Sequence, residues 1–116
     1  MSRPQEYFFK EGCYIEEWHN TPTDSNCSVA RARVEANSST KLHLLKSTVE
    51  RYVVLQGRAL VTVGSQSFEV SEGDVVVIPA DTPQKLENGS PSEFIFLAIC
   101  TPRFLEANYK CLEEEA

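Results

Sequence analysis

Before residue 101, no part of this chain sustains a helical period. Short apolar segments are cut off one after another by Gly, Pro, Asn, Asp and Ser. Residues 28–35 show the pattern most clearly: Val29, Arg31 and Arg33 fall on one face, and Ala30, Ala32 and Val34 on the other. That is the two-residue period of a strand. Residues 13–18, 41–45, 51–55, 59–63, 67–70, 75–78, 84–87 and 94–100 read as further strands, several of them rich in the β-branched and aromatic residues that suit a pleated surface. The breaks between them hold dense turn formers, among them residues 20–26, Gln56-Gly57-Arg58, Gly64-Ser65-Gln66 and residues 88–91. Many short strands at regular spacing predict an all-β sandwich or small barrel.

A chain of 116 residues is one domain. It divides into an N-terminal arm (1–12), a β-barrel (13–101) and a C-terminal tail (102–116). Tyr7-Phe8-Phe9 makes the arm too apolar to stand free in water, so it should lie against a surface. In the tail, Leu105, Tyr109 and Leu112 would share one face of a short helix. Glu113-Glu114-Glu115 would oppose the dipole at its end, so the last turn should fray.

The formal net charge is −6, and no Lys/Arg-rich run is visible, which argues against nucleic acid as a partner. No apolar run approaches the roughly 20 residues that span a bilayer, and no membrane partner is expected. Residues 1–6 lack the apolar stretch of a secretion signal, so a cytoplasmic location is the expectation. Cys13, Cys27, Cys100 and Cys111 include no pair at the spacing of a zinc knuckle or redox motif. They read as small, mostly buried apolar residues.

Two segments carry a family resemblance. His43, Glu50 and Gly57 follow one another at intervals of seven; Gly73 stands six before Pro79, and Asn88 nine after it. These segments resemble the two motifs of the cupin family. The resemblance implies an all-β, cupin-like double-stranded β-helix, a jelly-roll barrel, carrying the N-terminal arm and the short C-terminal helix. The stretch from Glu50 to Asn88 is most similar to barrels of the phosphomannose isomerase type. The likeness further implies a homodimer, with exchange of N-terminal strands as one way to build it.

It also implies a metal site. On strands, Lys41, His43 and Leu45 share a side, as do Glu50, Tyr52 and Val54, and Gln84 and Leu86. If those sides face the barrel interior, as the resemblance implies, His43, Glu50 and Gln84 converge. The expected cofactor is a divalent ion such as Zn, Mn, Ni or Fe. Two positions depart from the family pattern: its second histidine is Leu45 here, and its last is Gln84. Leu cannot ligate, and a neutral amide oxygen binds a transition metal more weakly than imidazole does. Two readings follow: a metal held by His43, Glu50 and Gln84, or a polar patch left in a binding pocket after loss of the metal.

Among other residues, Glu50 and Tyr52 are candidate catalytic groups, with Tyr52 alternatively a core residue whose oxygen is satisfied. Glu50 on its own could instead be salt-bridged to Arg31 or Arg33. Arg31, Arg33 and Lys41 are candidate substrate-binding groups at a mouth that takes carboxylate or phosphate. The alternative puts the two arginines on a solvated outer face, because Ala30, Ala32 and Val34 make the natural core side. His19 reads as a surface residue. The chain is then either a metal-dependent enzyme acting on a small polar metabolite, such as a sugar or organic acid, or a non-catalytic barrel that binds a small ligand.

Overall fold

The structure is a computed structural model and describes residues 5–113. Twelve strands run in chain order: β1 (Tyr7–Phe9), β2 (Cys13–His19), β3 (Ser28–Val34), β4 (Ser38–Ser39), β5 (His43–Leu45), β6 (Val49–Gln56), β7 (Arg58–Val63), β8 (Gln66–Ser71), β9 (Val75–Ile78), β10 (Gln84–Asn88), β11 (Phe94–Thr101) and β12 (Tyr109–Cys111). They form two facing sheets. One has the order β1-β2-β3-β11-β6-β9; the other runs β12-β5-β10-β7-β8, with the short β4 also pairing with β10. Every pairing is antiparallel. This is a double-stranded β-helix. No helix among the described residues is long and apolar enough to cross a membrane.

Alternation decides what lies between the sheets. Ala32 and Val34 of β3, Tyr52 and Val54 of β6, Val76 and Ile78 of β9, and Phe94 and Phe96 of β11 are buried from the first sheet. Val61, Leu86, Ala59 and Val70 meet them from the second. Each large apolar side chain buried this way contributes about 2 kcal/mol. The residues between them face outward. The four-residue apolar run of β9 therefore splits: Val76 and Ile78 are buried, whereas Val75 and Val77 are 59% and 56% exposed.

The motif glycine and asparagine act on the backbone. Gly57 turns β6 into β7 at φ +87°, and a Cβ there would stand 2.7 Å from the carbonyl oxygen of Glu93. Asn88 is buried, and its Nδ2 donates to the carbonyls of Val34, Glu35 and Ser92. Its Oδ1 accepts from the Ser90 amide and hydroxyl. One side chain thus joins the end of β3 to the turn that leads into β11.

The C-terminal tail differs from its sequence reading. There is no α-helix among the described residues; a single 3₁₀ turn, Glu106–Asn108, leads straight into β12. Tyr109 is buried, while Leu105 and Leu112 are exposed, so the three do not share a face. The helical spacing loses to tertiary pairing: β5 offers an open edge, and Tyr109 to Cys111 pair along it from Leu45 to His43. The N-terminal arm is pinned within the same chain, where β1 forms a hairpin with β2 and Phe8 sits edge-on to Tyr14 at 5.1 Å.

Gly57→Ala should lower stability by about 2 kcal/mol, because it adds both a left-handed strain and a backbone clash. Gly89→Ala, with open space around its Cβ, is the control. Urea unfolding midpoints check this; equal midpoints for the two variants would contradict it.

Candidate functional site

The residues singled out by strand parity do meet between the sheets. His43 on β5 lies directly opposite Gln84 on β10 in the second sheet. Glu50 and Tyr52 face them from β6 in the first. Tyr52, His43 and Gln84 are 2%, 1% and 1% exposed. The Tyr52 hydroxyl donates to Gln84 Oε1, tying the two sheets together through the core. Burial pushes the Tyr52 hydroxyl well above its usual range, so it stays a donor. Gln84 Nε2 is buried without a hydrogen-bond partner.

A further group completes the cluster. Glu11 lies in the turn between β1 and β2, and its Oε1 stands 3.4 Å from His43 Nε2. The turn is fixed by Gly12 at φ +107°, where a Cβ would stand 3.0 Å from the Ser39 carbonyl oxygen, and by the Lys41 amide, which donates to the Glu11 carbonyl at 2.7 Å. The Cys13 thiol donates to Glu11 Oε2 at 3.6 Å. Sequence reasoning missed Glu11 because it sits in a turn, where strand parity says nothing about direction. The available signal was its place between the buried Phe9 and Cys13.

Burial without a countercharge dominates the electrostatics. Desolvation raises Glu11 to about 7, with the Cys13 hydrogen bond pulling the other way. Desolvation, then the neighbouring Glu11, raises Glu50 to about 7; His43 and the Gln84 side chain beside it oppose the rise. Burial lowers His43, so its imidazole is neutral at pH 7. Its Nδ1 lies 2.5 Å from the Lys41 carbonyl oxygen, which can only accept a proton. Nδ1 therefore carries the hydrogen, and Nε2 presents a lone pair to Glu11.

A cavity of about 50 Å³ opens beside this cluster. Glu11 and Glu50 reach it, and Phe9, Ile15, Phe96 and Phe104 form much of its wall. His43, Gln84 and Tyr52 lie behind it. Arg31, Arg33 and Lys41 do not line it either. Arg33 bonds Glu6 through Nε and Nη2, at 3.1 and 2.8 Å, and Glu93 through Nη1, over the ring of Tyr14. Arg31 Nη1 lies 3.6 Å from Glu6. Both arginines thus belong to an ion-pair group on the outer face of β3, opposite the buried Ala32 and Val34. The salt bridge considered between Glu50 and these arginines does not form, because β3 turns them away. His19 is exposed and pairs with Asp24 at 2.8 Å.

The donors do not fit a divalent ion. His43 alone is presented as a ligand would be, its other nitrogen anchored on a carbonyl. Leu45 has no lone pair to offer, and Gln84 Oε1, a weak neutral donor, already accepts the Tyr52 hydroxyl. Among the described residues, no three His, Cys, Asp or Glu side chains gather closely enough to hold a metal ion.

The fold and these motif positions define a class. The cupin domain family model matches residues 30–100, and the chain belongs to that family. It is 34% identical, over 109 residues, to the uncharacterized protein MJ1618 of Methanocaldococcus jannaschii, a match spanning 92% of this chain and 87% of that protein. Among solved structures, a Klebsiella pneumoniae uncharacterized conserved protein with a double-stranded β-helix domain superposes with a TM-score of 0.77 at 16% identity, covering 93% of this chain and 90% of its own. Pac13, described as a unique nucleoside dehydratase, superposes with a TM-score of 0.80 at 15% identity, covering 98% of this chain and 88% of its own. Variants of the Streptomyces protein have been solved with uridine.

Glu50 gives a pH signature. Its folded pKa lies above the unfolded value of 4.5, so the stability it contributes is complete below about 4.5 and is lost as pH rises through about 7. Its share of that loss is on the order of 3 kcal/mol. Urea unfolding should therefore show a more stable protein at pH 5 than at pH 8, with a smaller difference in Glu50→Gln. Glu11 acts in the same direction, so some difference should remain in that variant. Equal stability of the wild type at both pH values would refute the buried, uncompensated carboxyl.

Proposed function

We propose that this chain is a cupin that binds a small organic molecule in the barrel cavity and works without a metal, with Glu50 as its proton-transfer group. The observation that carries this is Glu50 itself. It is a carboxyl at the cavity wall, buried, with no cation beside it, and held near the pKa that general acid–base chemistry needs at neutral pH. As the acid it can give a proton to a leaving oxygen; as the carboxylate it can take one from carbon or oxygen. The nucleoside dehydratase activity named for Pac13 is a loss of water on a barrel of the same fold, and such chemistry needs proton transfer of this kind.

The likeness to phosphomannose isomerase barrels suggests a sugar phosphate. The cavity favours another substrate, because no Lys or Arg is among the described residues that line it. The metal-dependent alternative requires His43, Glu50 and Gln84 to close on one ion, which the Tyr52–Gln84 hydrogen bond and Leu45 oppose.

Elemental analysis of protein purified without a histidine tag should give far less than one equivalent of any transition metal, with no change in His43→Ala. A near-stoichiometric ion that is lost in His43→Ala would restore the metal reading. In a thermal-shift screen of small metabolites, hits should vanish in Ala98→Leu, which fills the cavity wall. Any hit that is turned over by the wild type should show little or no turnover with Glu50→Gln. Hits that survive in Ala98→Leu would place binding elsewhere.

The outer face of the first sheet carries Leu97, Val53 and Val75 as neighbours in register, with the exposed Val77 two residues along β9 and opposite Arg51. We propose a homodimer that meets through this face. Light scattering at micromolar concentration should give twice the chain mass for the wild type and a single-chain mass for Val77→Glu. A single-chain mass for the wild type would remove the dimer.

A further inference from the structure

We propose that the ligand of the barrel cavity carries a small ammonium group, held between the carboxylates of Glu11 and Glu50 and framed by aromatic rings. This rests on the reading that the cavity is the binding site and adds the chemical class of what enters it.

The lining is one-sided in charge. It contains Glu11, Glu17 and Glu50, and no Lys, Arg or His among the described residues. The nearby cations are not in the lining and have partners of their own. Lys10 pairs with Glu106 at 3.1 Å, and Arg103 donates to Asn20 Oδ1 at 2.9 Å. The remaining polar lining is also engaged. Asn20 Nδ2 donates to the Phe104 carbonyl, and Ser28 Oγ accepts from the Phe104 amide, each at 2.9 Å. Of the carboxylates, Glu17 accepts from Asn20 Nδ2 at 3.4 Å and Glu11 from the weakly donating Cys13 thiol at 3.6 Å, which leaves Glu50 and the other oxygen of Glu11 facing a donor-poor wall.

Tyr7, Phe9, Phe96 and Phe104 supply ring surface around the same space, with Phe9 and Phe104 edge-to-face at 6.0 Å. Aromatic faces attract cations, and a wall of them beside carboxylates suits an organic ammonium better than an anion or a strongly hydrated ion. An unpaired buried carboxylate is costly, and an entering cation removes that cost.

The Gln84 amide, behind the cavity, is a further sign. Its Nε2 is buried with no partner and lies beside Glu50. A bound ammonium keeps Glu50 ionised, and an ionised Glu50 is a stronger acceptor for this amide than the neutral acid. The titratable groups around the carboxyl pair are Cys13 on β2, His43 on β5, Tyr52 on β6, Cys100 on β11 and Tyr109 on β12. All are neutral at pH 7, so none supplies the missing positive charge.

The test compares isobutylammonium with its near-isosteric neutral partner, isobutanol. Binding to the full chain is followed by amide chemical shifts of residues at the cavity and by titration calorimetry. The ammonium should bind at least about tenfold more tightly than the alcohol, a preference expected of a desolvated ion-pair site. Glu11→Gln and Glu50→Gln should each reduce that preference, and the double variant should abolish it. Retained amide spectra would show that the variants are folded. Equal binding of alcohol and ammonium would overturn the ammonium assignment and leave the cavity as the binding site. If neither probe shifts the cavity resonances, the cavity reading falls as well. Charge preference unchanged in the double variant would also overturn the assignment.

Discussion

The hydrogen bond from Tyr52 to Gln84 Oε1 joins the two sheets through the middle of the core, and the character of the interior follows from it. A purely apolar barrel of this size would close on itself. Here the tyrosine hydroxyl, the glutamine amide, the imidazole of His43 and two carboxyls occupy the space where the sheets meet. Such a polar core is stable only where its members satisfy one another. Most of them do: Tyr52 has Gln84, and His43 has the Lys41 carbonyl on one side and Glu11 on the other. The exceptions are Gln84 Nε2, which lies behind the cavity, and the cation-free carboxyls of Glu11 and Glu50 in its wall.

This arrangement separates the chain from the metal-binding pattern that its motifs resemble. The family frame is intact at Gly57, Gly73, Pro79 and Asn88, which shape turns. The ligand positions are altered. Leu45 joins an apolar cluster with Phe9, Cys100 and Tyr109, and Gln84 serves as a bridge between sheets. With no cation to balance them, the interior carboxyls of Glu11 and Glu50 stay largely protonated, and so uncharged, until about neutral pH.

The pieces that complete the site lie outside residues 30–100. Glu11 comes from the N-terminal hairpin. Tyr109 comes from the last strand and stacks on His43, with centroids 5.2 Å apart and planes at 25°. Neither was legible beforehand. Glu11 occupies a turn, where no periodicity points a side chain. Tyr109 has helical spacing to Leu105 and Leu112, and only the open edge of β5 makes it a strand residue. By contrast, the inward direction of His43, Glu50, Tyr52 and Gln84 could be read from parity, because each sits on a strand whose alternation is strict.

Local pattern alone determined that this chain is all-β, where most strands begin and end, and that it carries the cupin motifs. Those features depend on neighbours within a few residues, which the sequence displays directly. Only the tertiary structure decided that Arg31 and Arg33 serve an outer ion-pair group, that Gln84 binds Tyr52, and that Glu11 enters the core. Each of those outcomes depends on which segments distant in the chain pack together. The two-residue period of a strand says which face a side chain takes, but not what it will find there.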